Sequence, residues 1–190
     1  VQKSYDAGFN DFISPSGTSN LNCVFAYLSG SKDNPINIRI LGEAGPSWCR
    51  GSEYIDAEFT DYTWARCGAL CKNSKFVFHQ PILEALNCSR IKDSHVTYKD
   101  EIDVEDTADF AQSSTIVFEK NVKGDCASFL EGCDVYFHGK IFGRPCMGSE
   151  STDIHATRKK YLRMMSYYTK PSCRFFLLDK NGNSEEVHFE

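Results

Sequence analysis

The sequence predicts an all-β chain, an antiparallel β-sandwich or pair of sandwiches linked by disulfides, with at most short helices. Three observations lead there. Apolar and polar residues alternate with period two rather than 3.6. Turn-forming residues punctuate the apolar runs at short intervals. Nine cysteines are spread along all 190 residues.

Taken in order, Val24, Ala26 and Leu28 alternate with Phe25 and Tyr27. Ile36, Ile38 and Ile40 alternate with Asn37 and Arg39. Ile55, Ala57 and Phe59 alternate with Asp56 and Glu58. Each reads as a strand with one buried face. Further apolar runs are Phe76 to Phe78, Thr115 to Phe118, Val135 to Phe137 and Arg174 to Leu178. The last enters Asn181-Gly182 and leaves through Val187 and Phe189. Asn-Gly tolerates positive φ at both positions, so a hairpin is expected there. Turn signals separate the runs at Ser29-Gly30, Gly42 to Pro46, Gly124, Gly143 to Pro145 and Gly148-Ser149. Two segments are less regular. Pro81 to Leu86 can form a turn or two of helix. Ile154, Tyr161, Leu162, Met165 and Tyr168 fit one helical face, but Tyr161 to Tyr168 also fits a strand.

Hydrophobic residues make up 41% and charged residues 25%, a globular balance. A net charge of -5 argues against a general nucleic-acid binder, which would carry a basic stripe. No apolar run approaches the ~20 residues of a membrane span. Dispersed cysteines in such number suit an oxidising compartment, so an extracellular or secretory-pathway location is expected. The count is odd, which leaves one thiol free or paired between chains. Val1 reads as a mature N-terminus or the start of a fragment. Asn87-Cys88-Ser89 is a glycosylation sequon.

Catalytic signatures are missing. There is no Gly-rich phosphate loop, nucleophile elbow or zinc-binding His-Glu-x-x-His. The five histidines are scattered, and Cys67 and Cys71 lack the further ligands of a structural zinc. A non-enzyme is expected. Asp100, Glu101, Asp103, Glu105, Asp106 and Asp109 form an acidic block, read as a solvated loop or a docking site for a cationic partner. Arg158, Lys159, Lys160 and Arg163 form a small basic cluster, read as a solvated face or a glycosaminoglycan contact.

One stretch carries a family resemblance. Phe12-Ile13-Ser14-Pro15 precedes Asn22-Cys23; the strand Ile36 to Leu41 follows, then Cys49 and Glu53-Tyr54-Ile55-Asp56-Ala57-Glu58, then Cys67-Gly68 and a strand at Phe76. This order resembles a CUB domain over residues 8 to 78. A degenerate second copy, over 88 to 190, is suggested by Cys133 to Phe137, by Phe142 to Ser149 and by Cys173 to Leu178. The resemblance implies two CUB-like sandwiches, 1–85 and 86–190, or one larger sandwich with an acidic insertion near 99–110. It implies disulfides joining Cys23 to Cys49 and Cys146 to Cys173, and it tips residues 161–168 toward strand. It also raises calcium, with Glu43 and Glu53 as ligand candidates, though the third acidic position falls near His79-Gln80.

The expected function is extracellular protein binding, by part of a receptor, adhesion or assembly protein. The candidate contact residues are Trp48, Tyr54, Phe59, Tyr62 and Trp64, since aromatic anchors dominate interface energetics. Two alternatives stand beside it: a secreted immune decoy that captures a cytokine, chemokine or immune receptor, and a non-catalytic exosite domain of a secreted protease.

Overall fold

The structure is a computed structural model, described over residues 1–14 and 20–189. Pro15, part of the Ser-Pro element read from the sequence, lies outside the described residues. A short helix, α1 (Gln2–Asp6), precedes ten strands: β1 (Asp11–Ser14), β2 (Ile36–Ile40), β3 (Ile55–Phe59), β4 (Lys75–Phe78), β5 (His95–Tyr98), β6 (Thr115–Phe118), β7 (Asp134–Phe137), β8 (Asp153–Ala156), β9 (Arg174–Leu178) and β10 (Ser184–Glu186). A second helix, α2 (Lys159–Ser166), separates β8 from β9.

All ten strands form one sheet in chain order. Strands β1 to β9 are parallel to their neighbours, and only β10 runs antiparallel, against β9. From β2 to β9, successive strands begin 19 to 21 residues apart. Each circuit of the chain therefore places the next strand beside the last, and the molecule is a parallel β-solenoid of about seven turns. This corrects the antiparallel, CUB-like sandwich expected from the sequence. Period-two alternation reports that a strand has one buried face; it says nothing of which way its neighbour runs. The sheet continues from β4 to β5 across residues 85–86.

Every coil repeats the same inward positions. Ile36, Ile38 and Ile40 of β2 align with Ile55, Ala57 and Phe59 of β3. Phe59, Phe78, Tyr98, Phe118 and Phe137 then stack ring on ring through the interior, with centroids 4.6 to 5.2 Å apart and planes within 14°. That distance is the spacing of adjacent strands, so the backbone register itself sets the stack. All five rings are at most 1% exposed. Burying one such side chain stabilises the fold by about 1.5–3 kcal/mol. The column ends at Ala156, which pairs with Phe137. Three residues later α2 begins, and it buries Tyr161, Leu162 and Met165. The strand to which the CUB resemblance tipped residues 161–168 is thus a helix over most of its length.

Polar columns are satisfied in the same way. Ser74, Ser94 and Ser114 precede their strands. Each hydroxyl donates to the carbonyl two residues back, of Lys72, Lys92 and Gln112, and accepts an N–H from the preceding coil. Cys133 occupies that slot in the next coil, its Sγ 3.5 Å from the Glu131 carbonyl, and Thr152 follows it.

All nine cysteines are free thiols, so the expected disulfides Cys23–Cys49 and Cys146–Cys173 are absent. Backbone bonds from Gly68 to Trp48, Cys88 to Cys67, Ala108 to Asn87, Ala127 to Thr107 and Cys146 to Cys126 align one column through the turns. It holds Cys49, Gly68, Cys88, Ala108, Ala127 and Cys146, all with φ between +50° and +67° and all buried. The cysteines there fill a slot that accepts only small side chains. Their regular spread is the repeat of the coil, not a frame of staples. Burial pushes the Cys67 and Cys71 thiols up to about 12, and both thiols donate to carbonyls, of Gly45 and Cys49. Such thiols behave as small apolar side chains and stay protonated. The extracellular expectation therefore loses the cross-links that carried it.

Other local expectations divide. The Asn181-Gly182 hairpin is present, as the β9–β10 pair. Val24 to Leu28 is a turn with left-handed Phe25 and Tyr27, not a strand. Pro81 to Leu86 contains an isolated bridge at Ile82 and no helix.

Candidate functional site

The five aromatic residues singled out in the sequence do not converge. Trp48 and Phe59 are fully buried, and the Trp48 Nε1–H donates to the Leu21 carbonyl at 2.7 Å. Tyr62 is exposed; Trp64 is half-buried and donates its Nε1–H to Glu43; Tyr54 is half-buried beside β3. Glu43 is thus engaged by an indole, while Glu53 accepts from Asn73 at 3.0 Å. Among the described residues no three His, Cys, Asp or Glu side chains gather as a metal site. Asn87 is fully buried: its Oδ1 accepts from the Cys67 N–H at 2.9 Å and its Nδ2 donates to the Glu84 carbonyl at 2.7 Å. A glycan on Asn87 requires that coil to open.

A different constellation emerges on the turn edge. The N–H groups of Tyr27, Gly51, Leu70, Arg90, Phe110, Phe129 and Gly148 each donate to the following coil, at Arg50, Ala69, Ser89, Asp109, Ser128, Met147 and Tyr168. These seven residues therefore form one column, one per coil, with φ between +55° and +69° throughout. A left-handed backbone is costly for a residue with a Cβ, and Gly or Asn would normally fill such a slot. Here the slots carry large side chains that point away from the core. Tyr27 is 70% exposed, Leu70 40%, Phe110 46% and Phe129 47%. Phe110 and Phe129 stack at 5.1 Å, and the Arg90 guanidinium sits 5.6 Å from the Phe110 ring centre. The two glycines are seats for rings: a Cβ on Gly51 would come within 2.7 Å of Tyr27, and one on Gly148 within 2.8 Å of Phe129. The sequence signal for this column is faint: positions 70, 90 and 110 are spaced by 20, but they hold the unlike side chains Leu70, Arg90 and Phe110.

Charges on the other faces are largely paired. On the outer face of the sheet, Glu58 binds both Arg39 (3.2 Å) and His79 (2.8 Å); Lys99 binds Glu119, and Arg174 binds Asp153. Within the acidic block, Lys123 neutralises Glu101 and Asp103. Asp109 is buried and accepts the Ser128 N–H at 2.8 Å; burial, reinforced by Asp106 and Asp125, pushes its carboxyl up to about 7. The basic cluster Arg158, Lys159, Lys160 and Arg163 is exposed on and just before α2. Also on the outer sheet face, His155 lies between the rings of Tyr136 (4.2 Å) and Phe176 (4.6 Å), and both its ring nitrogens are buried without a hydrogen-bond partner. Burial holds the His155 pKa below the usual histidine value.

No helix among the described residues is long and apolar enough to cross a membrane. No family model, curated protein or solved structure matches this chain, so the CUB resemblance finds no support and the solenoid is identified by its geometry alone.

Proposed function

We propose that this chain is a non-catalytic protein-recognition solenoid whose turn edge is its contact surface. One observation carries the reading: consecutive coils present Leu70, Arg90, Phe110 and Phe129 outward from left-handed positions. Aromatic residues and arginine are the side chains enriched in interface cores and hot spots. Stacked repeats make an extended, rigid surface suited to such contacts. Contiguous exposed rings also need a reason in a soluble domain, and a partner supplies one. A partner steered instead by the acidic block meets carboxylates of which half are committed, since Glu101 and Asp103 face Lys123 and Asp109 is buried.

The test compares affinity capture by the unaltered protein with capture by a Phe110→Ser/Phe129→Ser variant of equal thermal stability. The edge reading expects a specific partner to be lost from the variant, and retained by a variant carrying Glu105→Gln and Asp106→Asn. Capture that survives the Phe substitutions and disappears with the acidic ones rejects the edge in favour of the acidic block.

A further inference from the structure

Beside Phe110, three arginines border one groove. Arg50, Arg66 and Arg90 line it together with Leu70, Leu86 and Phe110, around a cavity of about 230 Å3. The chain holds 26 acidic and 21 basic residues, an excess of carboxylates from which partners could come. Even so, among the described residues none of these three arginines forms a salt bridge, whereas Arg39, Arg144 and Arg174 all do. Glu84 and Glu105 lie beside Arg66 in the adjoining hollow and leave it unpaired. The Nε of Arg50 is buried with no acceptor. The rest of the Arg50 side chain is partly exposed, so its guanidinium keeps donors for an incoming anion.

The surroundings define what such an acceptor looks like. A planar carboxylate satisfies one guanidinium fork. A tetrahedral monoester presents three terminal oxygens and up to two negative charges, and so can engage several forks at once. Leu70, Leu86 and the Phe110 ring give the groove an apolar wall on which an aryl or short alkyl group can rest. The volume falls below the roughly 300–1,000 Å3 of sites that enclose a whole small molecule, so it suits a single headgroup.

We infer that Arg50, Arg66 and Arg90 form a binding site for a phosphate or sulfate monoester of an aryl or short alkyl group. A modified tyrosine on a partner and a small free ester share this chemistry. The inference deepens the edge reading, and rests on it only for the partner as the source of the ester.

Isothermal titration with phenyl phosphate, phenyl sulfate and benzoate tests the site. Phenyl phosphate is expected to bind at least tenfold more tightly than benzoate. The single variants Arg50→Gln, Arg66→Gln and Arg90→Gln should each weaken it tenfold or more, while Arg39→Gln, on the sheet face, should leave it unchanged. Equal binding of phenyl phosphate by the unaltered protein and by the triple Gln variant, with both folded by circular dichroism, overturns the site. A phosphotyrosine or sulfotyrosine peptide that binds more tightly than the free ester assigns the group to a protein partner; equal affinity assigns it to a free ester. The two readings fail separately. Loss of capture in the Phe110→Ser/Phe129→Ser variant without ester binding keeps the edge and removes the arginine site. Ester binding with capture unaffected by those substitutions keeps the arginine site and removes the edge.

Discussion

Two pairs of phenylalanines in this molecule have nearly the same geometry and opposite surroundings. Phe118 and Phe137 stack at 5.1 Å inside the coil, each 1% exposed. Phe110 and Phe129 stack at the same 5.1 Å on the turn edge, each nearly half exposed. A solenoid imposes this spacing on any column of rings, because neighbouring coils lie one strand spacing apart. Stacking is therefore no guide to role here. Exposure is: the inner pair holds the fold together, and the outer pair is available to something else.

The largest effect expected is on the inner column. Phe118→Ala should cost about 3–5 kcal/mol, because the coil register prevents the cavity from collapsing. A denaturant midpoint that barely moves would show that the column is not the core. Next comes Asp109, which is buried immediately before Phe110. Its folded pKa lies near 7, above the ordinary 3.8. The native state therefore holds a proton that the unfolded chain has released between about pH 4 and 7, and stability should fall as pH rises through that window. Asp109→Asn should flatten this slope, a change of about 4 kcal/mol in total; a wild-type slope that is already flat would mean that water reaches the carboxyl. His155→Phe should raise stability by about 1 kcal/mol, since it removes two orphaned nitrogens from between two rings. A loss of stability would mean that the imidazole has a hydrogen-bond partner in solution. Phe110→Ser should cost no more than about 0.5 kcal/mol, as for a surface change, while abolishing partner capture. A cost of several kcal/mol would place the outer pair with the inner. The smallest effect is none at all: a reductant should leave the unfolding midpoint unchanged, whereas losing a disulfide over a loop of this size would cost about 3 kcal/mol.

Much of the strand inventory was legible in the sequence. The strands at Ile36 to Ile40 and Ile55 to Phe59 announce themselves because one face alternates with the other, and those at Thr115 to Phe118 and Arg174 to Leu178 as short apolar runs. His95–Tyr98 and Asp153–Ala156 do not. Both alternate, but over only four residues with two apolar positions each, Val96 and Tyr98 or Ile154 and Ala156, too short a pattern to stand out from its surroundings. Direction and closure were beyond periodicity, since parallel pairing leaves no local trace. Only the recurrence of the same kinds of residue every 19 to 21 positions carries it, as in Phe76 and Phe78, then Val96 and Tyr98, then Ile116 and Phe118. The cysteines misled for the same reason: a thiol that substitutes for alanine, glycine or serine in a column looks, along the chain, like half of a staple. The edge column was hidden because left-handed slots leave no composition signature when they hold leucine, arginine or phenylalanine.

The backbone bonds that tie each turn to the coils on either side also decide how the molecule gives way under load. Tension applied between the ends would peel coils in sequence rather than shear the sheet as a whole, since each coil touches only its neighbours. Every coil that lets go frees about 20 residues, or roughly 65–70 Å of extended chain. A force–extension trace should therefore show evenly spaced steps, and an anchored partner would sit on a ruler marked in coils.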